Sequence, residues 1–190
     1  MSERAPVKAV VIGGSAGSVA SLLVILKALP RDYRPAVFLT VHVPPNAKRS
    51  PLVDILQTHC RVAVREAADK EPVQGGTVYV APANYHLLVE TSGSIALSAD
   101  DPVLFSRPSI DVLFESAVDA YGHELAGVLL SGANHDGAHG LRLIAQAGGP
   151  VMVEDPQQAY ARTMPLAALE ACPDAVVGSP DQLASYLKDL

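Results

Sequence analysis

Tryptophan is absent from this chain, and cysteine occurs only twice, at Cys60 and Cys172. Two thiols so far apart fit neither a paired metal or redox spacing nor a disulfide framework. The expectation is a pair of reduced thiols in a reducing compartment. Cys60 follows His59, but sequence neighbours rarely face each other, so a Cys–His nucleophile there is disfavoured. Lys and Arg total 14 against 20 Asp and Glu, a formal net charge of −6. That balance argues against nucleic acid as the main partner, since phosphate binding calls for a basic patch. No apolar run approaches the roughly 20 residues of a membrane-spanning helix, and "MSERAPVKAVVIGG" lacks the continuous apolar core of a signal peptide. A cytoplasmic protein without membrane insertion is expected. Neither a repeat nor a low-complexity linker interrupts the 190 residues, which suit a single domain over 1–190.

What is present is a succession of apolar, largely β-branched runs: Lys8–Gly13, Ala36–Val43, Val62–Arg65, Thr77–Ala81, Glu124–Leu130 and Val151–Val153. Their nearly unbroken hydrophobicity predicts strands buried on both faces, as in a parallel sheet. Between them, Val19, Leu22, Leu23 and Leu26 keep a helical rhythm that Pro30 closes. Asp111–Ala120, Leu141–Ala147, Leu166–Ala171 and Asp181–Lys188 also read as helices. The alternation predicts a three-layer α/β fold, a mainly parallel sheet with helices on both faces. "TVYVAPANYHLLVETSGSIALSA" is different, with three short strands too close together for helical crossovers. It predicts an antiparallel hairpin at one edge of the sheet.

In such a fold, chemistry gathers beyond the carboxyl ends of the strands. Ser15 falls there, in "AVVIGGSAGSVASLL". Read as a dinucleotide fingerprint, the turn lacks two of three glycines, and no phosphate-binding G-x-x-x-x-G-K-[ST] loop occurs. Gly13 to Gly17 does match G-x-S-x-G, the pattern of a strand–turn–helix nucleophile, although a tight turn with an idle serine gives the same letters. A nucleophile needs a base and an orienting acid. His42 ends the second apolar run. Asp136 lies in the Gly-rich turn of "GVLLSGANHDGAHGL", beyond another strand end, where an aspartate could equally cap a helix. Three polar residues at three strand ends suggest a Ser15–His42–Asp136 constellation. Its chain order differs from the Ser, Asp, His of α/β-hydrolases. His135 and His139 in "HDGAH" resemble a zinc pair, but Gly132 and Gly137 mark turn rather than established helix, and no further ligand completes a shell.

Taken together, "IGGSAGS", "VHVP", "VYVAPANYHLLV", "RPSIDVLFESAV", "GVLLSGANHDGAHGL" and "VEDPQQAYARTMPLAAL" resemble, in this order and spacing, the catalytic domain of the chemotaxis protein-glutamate methylesterases, CheB. The likeness runs from about Val10 to Gly178. It implies a parallel α/β sheet with a hairpin, and hydrolysis of glutamate γ-methyl esters on the cytoplasmic helices of chemoreceptors, in some members also glutamine deamidation. By the same resemblance Ser15 is the nucleophile, His42 the general base and acid, and Asp136 the orienting carboxylate. The N–H groups of Ala16 and Ala133 are candidates for the oxyanion site. No metal or organic cofactor is implied. His86 and Arg107 are candidates for lining the substrate cleft, His86 with a hairpin role as the competing reading. Ser109 reads better as a helix N-cap and Asp111 as a first-turn acid.

The cleft departs from the family pattern at Ala16, Ser18, Ala133–Asn134 and Thr163, and after "VHVP" the segment "PNAKRSP" lacks the usual aromatic. Those departures leave two further readings, a catalytically weak CheB-like binding module in a signalling complex and an esterase for a different substrate. The first strand begins within ten residues of Met1, so the expectation is a chain without the family's receiver domain, either a stand-alone esterase or an excised catalytic part. A separate regulatory protein in its place is the corresponding expectation.

Overall fold

In the computed structural model, which describes residues 6–42 and 51–190, Val10 and Ile12 point to one face of the first strand and Ala9 and Val11 to the other. All four are at most 1% exposed. A strand covered on both sides must sit inside a sheet flanked by two layers. The strand is β1 (Ala9–Gly14), paired in parallel with β2 (Ala36–Val41) on one side and β7 (Leu125–Leu129) on the other. Outward from β2 lie β4 (Thr77–Val80) and β3 (Ala63–Glu66); outward from β7 lie β8 (Val151–Glu154) and β9 (Val176–Gly178). The order β3-β4-β2-β1-β7-β8-β9 makes a seven-stranded sheet in which every pairing is parallel.

One face packs on α1 (Ser18–Ala28), α2 (Pro51–His59) and α6 (Pro180–Lys188), through Leu22, Leu26, Leu56 and Leu183. The other packs on α3 (Ile110–Tyr121), α4 (Ala138–Gln146) and α5 (Thr163–Ala171), through Ile110, Phe114, Ile144 and Met164. The hairpin of β5 (His86–Val89) and β6 (Ile95–Ser98) joins this second layer, burying Leu87 and Ile95.

The three-layer α/β architecture is the one expected. Three details differ. The hairpin is a separate two-stranded sheet rather than an extension of an edge, because Thr77–Val80 leaves the trio to pair in parallel with β2 and β3. Helix α2 was not anticipated: its nine residues, Pro51–His59, are a short run that includes a proline, which disfavours helix by its letters alone. Strand β9 was also missed, being three residues long with two of them exposed. The last residue assigned to the second strand, Val43, lies outside the described residues.

Two glycines fit the chain around the first strand's end. Gly17, at φ +80, takes a left-handed conformation that starts α1, with Tyr160 packed directly over it. Gly13 has α3 pressed against it, so that a methyl group there would run into Ile110 and Leu129. Gly13→Ala should therefore lower stability by about 1–3 kcal/mol, the usual cost of overpacking a filled core. Urea unfolding measures it, and an unchanged midpoint would contradict this account of the packing.

Candidate active site

Parallel register brings the strand ends together. Gly14 pairs with Val41 and Gly13 with Leu129. The next residues continue the ladder, His42 N–H donating to Gly14 O at 3.1 Å and Ser15 N–H to Ser131 O at 2.8 Å. Ser15, His42 and the loop from Ser131 to Asp136 thus meet at one rim. It is also where the chain, having built β2 to β4 on one side of β1, crosses to build β7 to β9 on the other. Crevices at such switch points are the usual sites of α/β folds.

Asp136 is fully buried, and four donors converge on its carboxylate. Its Oδ2 accepts from His42 Nε2 at 2.7 Å and from Ile110 N–H at 2.7 Å. Its Oδ1 accepts from Ser109 Oγ at 2.9 Å and from Asp111 N–H at 3.0 Å. Ser109 is the N-cap of α3, so the carboxylate sits on the positive end of that helix. Burial alone pushes the carboxyl upward; the bonds from His42, Asp111 and Ile110 outweigh it, and Asp136 titrates below its ordinary 3.8. An ionised Asp136 requires Nε2 of His42 to carry the proton. Nδ1 is then the bare, basic nitrogen.

Ser15 is half-buried beside this pair, at the neighbouring strand end. No hydrogen bond joins its hydroxyl to His42 among the described residues. Nδ1 instead has a hydroxyl contact with Ser106 Oγ, at 3.5 Å. The expected row of three is therefore closed on the Asp136–His42 side and open on the Ser15 side. The N–H of Ser15 is taken by Ser131, whereas those of Ala16 and Ala133, both exposed residues, have no acceptor among the described residues.

A second set of bonds, not anticipated from the sequence, fixes the serine turn. Ser131 Oγ donates to Ala16 O at 2.7 Å and accepts from Ala161 N–H at 2.8 Å. Ser131 N–H donates to Glu154 Oε2 at 2.7 Å, and Ser21 Oγ donates to Glu154 Oε1 at 2.6 Å. Glu154 is 2% exposed, at the end of β8. The available signal was a serine and a glutamate each ending an apolar strand.

Of the two candidates for lining the cleft, Arg107 borders a recess beside His42 and His86 does not. His86 is 2% exposed; its Nδ1 accepts from Ser109 N–H at 3.1 Å and its Nε2 donates to Asp101 O at 3.1 Å. Both ring nitrogens are thus spent on backbone. Arg107 does border a recess of about 250 Å³ with His42, Asn84 and Ser106. Its guanidinium is nevertheless committed, donating to Asn84 Oδ1 at 2.7 and 3.1 Å, to Ala99 O at 2.8 Å and to Asp100 O at 2.9 Å. The two side chains brace the segment from 99 to 109. His139, half of the zinc-like pair, lies against Glu115 and Arg142.

A family model described as CheB methylesterase matches residues 10–187. A protein of Leptospira interrogans, provisionally named protein-glutamate methylesterase/protein-glutamine glutaminase, is 41% identical over 93% of this chain and 91% of its own length. Relatives with that name in Symbiobacterium thermophilum and Archaeoglobus fulgidus are 39% and 36% identical over 88% and 85% of this chain. The chain spans about half of those two, 46% and 47% of their lengths. The crystal structure of the Thermotoga maritima CheB methylesterase catalytic domain superposes with a TM-score of 0.90 at 29% identity, covering 97% of this chain and 99% of that one.

Asp111 makes the electrostatics of the site testable. Burial, against the bond from Gly140 N–H, pushes its carboxyl up to about 6, with Asp136 and Glu115 adding to the rise. A carboxyl whose folded pKa is raised opposes folding once ionised. The cost is absent below about pH 4 and complete above about pH 6. Asp111→Asn, which keeps an oxygen for Gly140 N–H, should stabilise the protein at pH 8 by about 1–3 kcal/mol, and the gain should shrink as the pH falls to 4. Paired denaturation curves at the two pH values measure this; a gain independent of pH would refute it.

Proposed function

The chain belongs to the CheB methylesterase family, and on that premise we propose that it is a serine hydrolase of glutamate γ-methyl esters on chemoreceptor cytoplasmic helices, with Ser15, His42 and Asp136 as its triad. The observation that carries the reading is the 2.7 Å bond from His42 Nε2 to a buried, ionised Asp136, one strand away from a serine in a G-x-S-x-G turn.

In this mechanism Ser15 Oγ attacks the ester carbonyl as its proton passes to His42 Nδ1. Asp136 holds the ring and balances the imidazolium that forms. The N–H groups of Ala16 and Ala133, without an acceptor among the described residues, receive the tetrahedral oxyanion. The protonated His42 then delivers its proton to the departing methoxide, releasing methanol and leaving an acyl-enzyme on Ser15. Water, deprotonated by His42, cleaves that ester, and glutamate and free Ser15 are restored. With glutamine as substrate the same steps release ammonia, the second activity in the relatives' names. No step calls for a metal or an organic cofactor. The reaction begins with Ser15 turning its hydroxyl towards Nδ1, which Ser106 faces in the resting structure.

The test is methanol release from a methylated chemoreceptor. Ser15→Ala should lower turnover by about 10³-fold or more with unchanged thermal stability, and a serine-directed phosphonate should label Ser15 rather than Ser106. Wild-type turnover in Ser15→Ala would overturn the assignment. Receptor binding with neither hydrolysis nor labelling would favour a silent binding module instead. Activity should also fall on the acid side, because a protonated Nδ1 cannot accept the serine proton; a flat profile down to pH 5 would count against His42.

A further inference from the structure

Beside the His42 recess the chain makes a turn that stability alone does not explain. Val103 and Ser106 pair through two backbone bonds, of 3.1 and 2.8 Å, and the residues between them, Leu104 and Phe105, have φ of +46 and +63. Two successive left-handed residues are the mark of a turn that ordinarily selects Asn and Gly. Leu and Phe are poor choices for that backbone. Nor does the core gain from them, since Leu104 is 48% exposed and the Phe105 side chain is wholly exposed. A non-glycine pair held in disfavoured geometry, with its aromatic in water, points to a use for the aromatic.

The turn is also held firmly. Arg107 spends its guanidinium on Asn84 and on the carbonyls of Ala99 and Asp100, and His86 ties Asp101 O to Ser109 N–H. The bracing therefore closes the base of a loop whose tip is Phe105. The residue after Phe105 is Ser106, whose hydroxyl faces the bare nitrogen of His42. Phe105 lines the same recess as His42.

We propose that the Leu104–Phe105 tip is a specificity element that receives an apolar side chain of the protein substrate, one lying beside the residue that carries the ester. The inference rests on the esterase reading for the identity of the substrate. An exposed phenylalanine recognises apolar surface, and a free amino-acid ester has none to offer. Because the turn that carries the ring is held before binding, little backbone freedom is lost on contact. The element thus separates protein substrates from small esters without taking part in bond making.

The experiment compares kcat/KM for a methylated chemoreceptor with that for a small ester, the γ-methyl ester of N-acetylglutamate, which has no apolar neighbours. Phe105→Ser should reduce the ratio of the two by about tenfold, chiefly through KM for the receptor, as expected for one lost aromatic contact. Phe105→Leu should restore most of it. An equal loss on both substrates would make the loop structural, and an unchanged ratio would make the ring idle; either overturns the proposal. So would a wild-type dimer that Phe105→Ser dissolves, since the tip would then serve a second copy of this chain. Receptor binding to Ser15→Ala with and without Phe105→Ser separates the two readings. Phe105-dependent binding in a protein that hydrolyses nothing sinks the esterase and spares the tip, whereas binding indifferent to Phe105 sinks the tip alone.

Discussion

The buried carboxylate of Asp136 is the interaction on which the site depends. A carboxylate removed from water is costly unless its oxygens are fully occupied. Here the occupants come from two separate parts of the chain: the end of β2 through His42, and the start of α3 through the N-cap hydroxyl of Ser109 and two N–H groups. Satisfying one ion therefore fixes where α3 begins relative to β2. The pressing of α3 onto Gly13 then fixes it relative to β1, the strand that ends at Ser15. The geometry at the rim follows from these two contacts more than from any loop.

A second buried carboxylate does comparable work across the rim. Glu154 holds the N–H of Ser131, and Ser131 in turn binds the serine turn at both Ser15 and Ala16. The donors here are an N–H and the hydroxyl of Ser21 on α1, so this carboxylate locks α1, β7 and β8 together. Neither carboxylate is solvent-exposed, and both end up acting on the position of a hydroxyl or an imidazole rather than on a ligand.

How far the sequence discloses all this depends on whether the determining contact is local. Strands β1, β2 and β7 were legible because a strand buried on both faces must be apolar at every position. Ser15, His42 and Asp136 stood out because polar residues directly after such runs are conspicuous. Helix α2 was hidden by its short length and its proline, and β9 by being short and exposed at an edge. His86 and Arg107 were recognisable as unusual, but their partners are Asp101 O, Ala99 O and Asn84, and nothing in the spacing distinguishes a brace from a substrate contact. Ser131 and Glu154 escaped for the same reason: each ends an apolar strand as His42 does, and only the fold reveals that they face each other.

The two carboxylates define two rigid groups that meet along β1 and β7. One holds the imidazole and the other the serine turn, and the bond that would join them, from Ser15 Oγ to His42 Nδ1, is the one not made in the resting state. Within the proposed reaction this has a simple consequence. Ser15 Oγ and His42 Nδ1 must form a contact that the structure lacks, at strand ends that the β1–β2 ladder already holds side by side. Ser106 meanwhile offers Nδ1 a 3.5 Å contact, long for a bond between a hydroxyl and a nitrogen and so easily displaced. The two carboxylates thus organise the imidazole and the serine turn separately, and the bond between them is the one left for the proposed reaction to make.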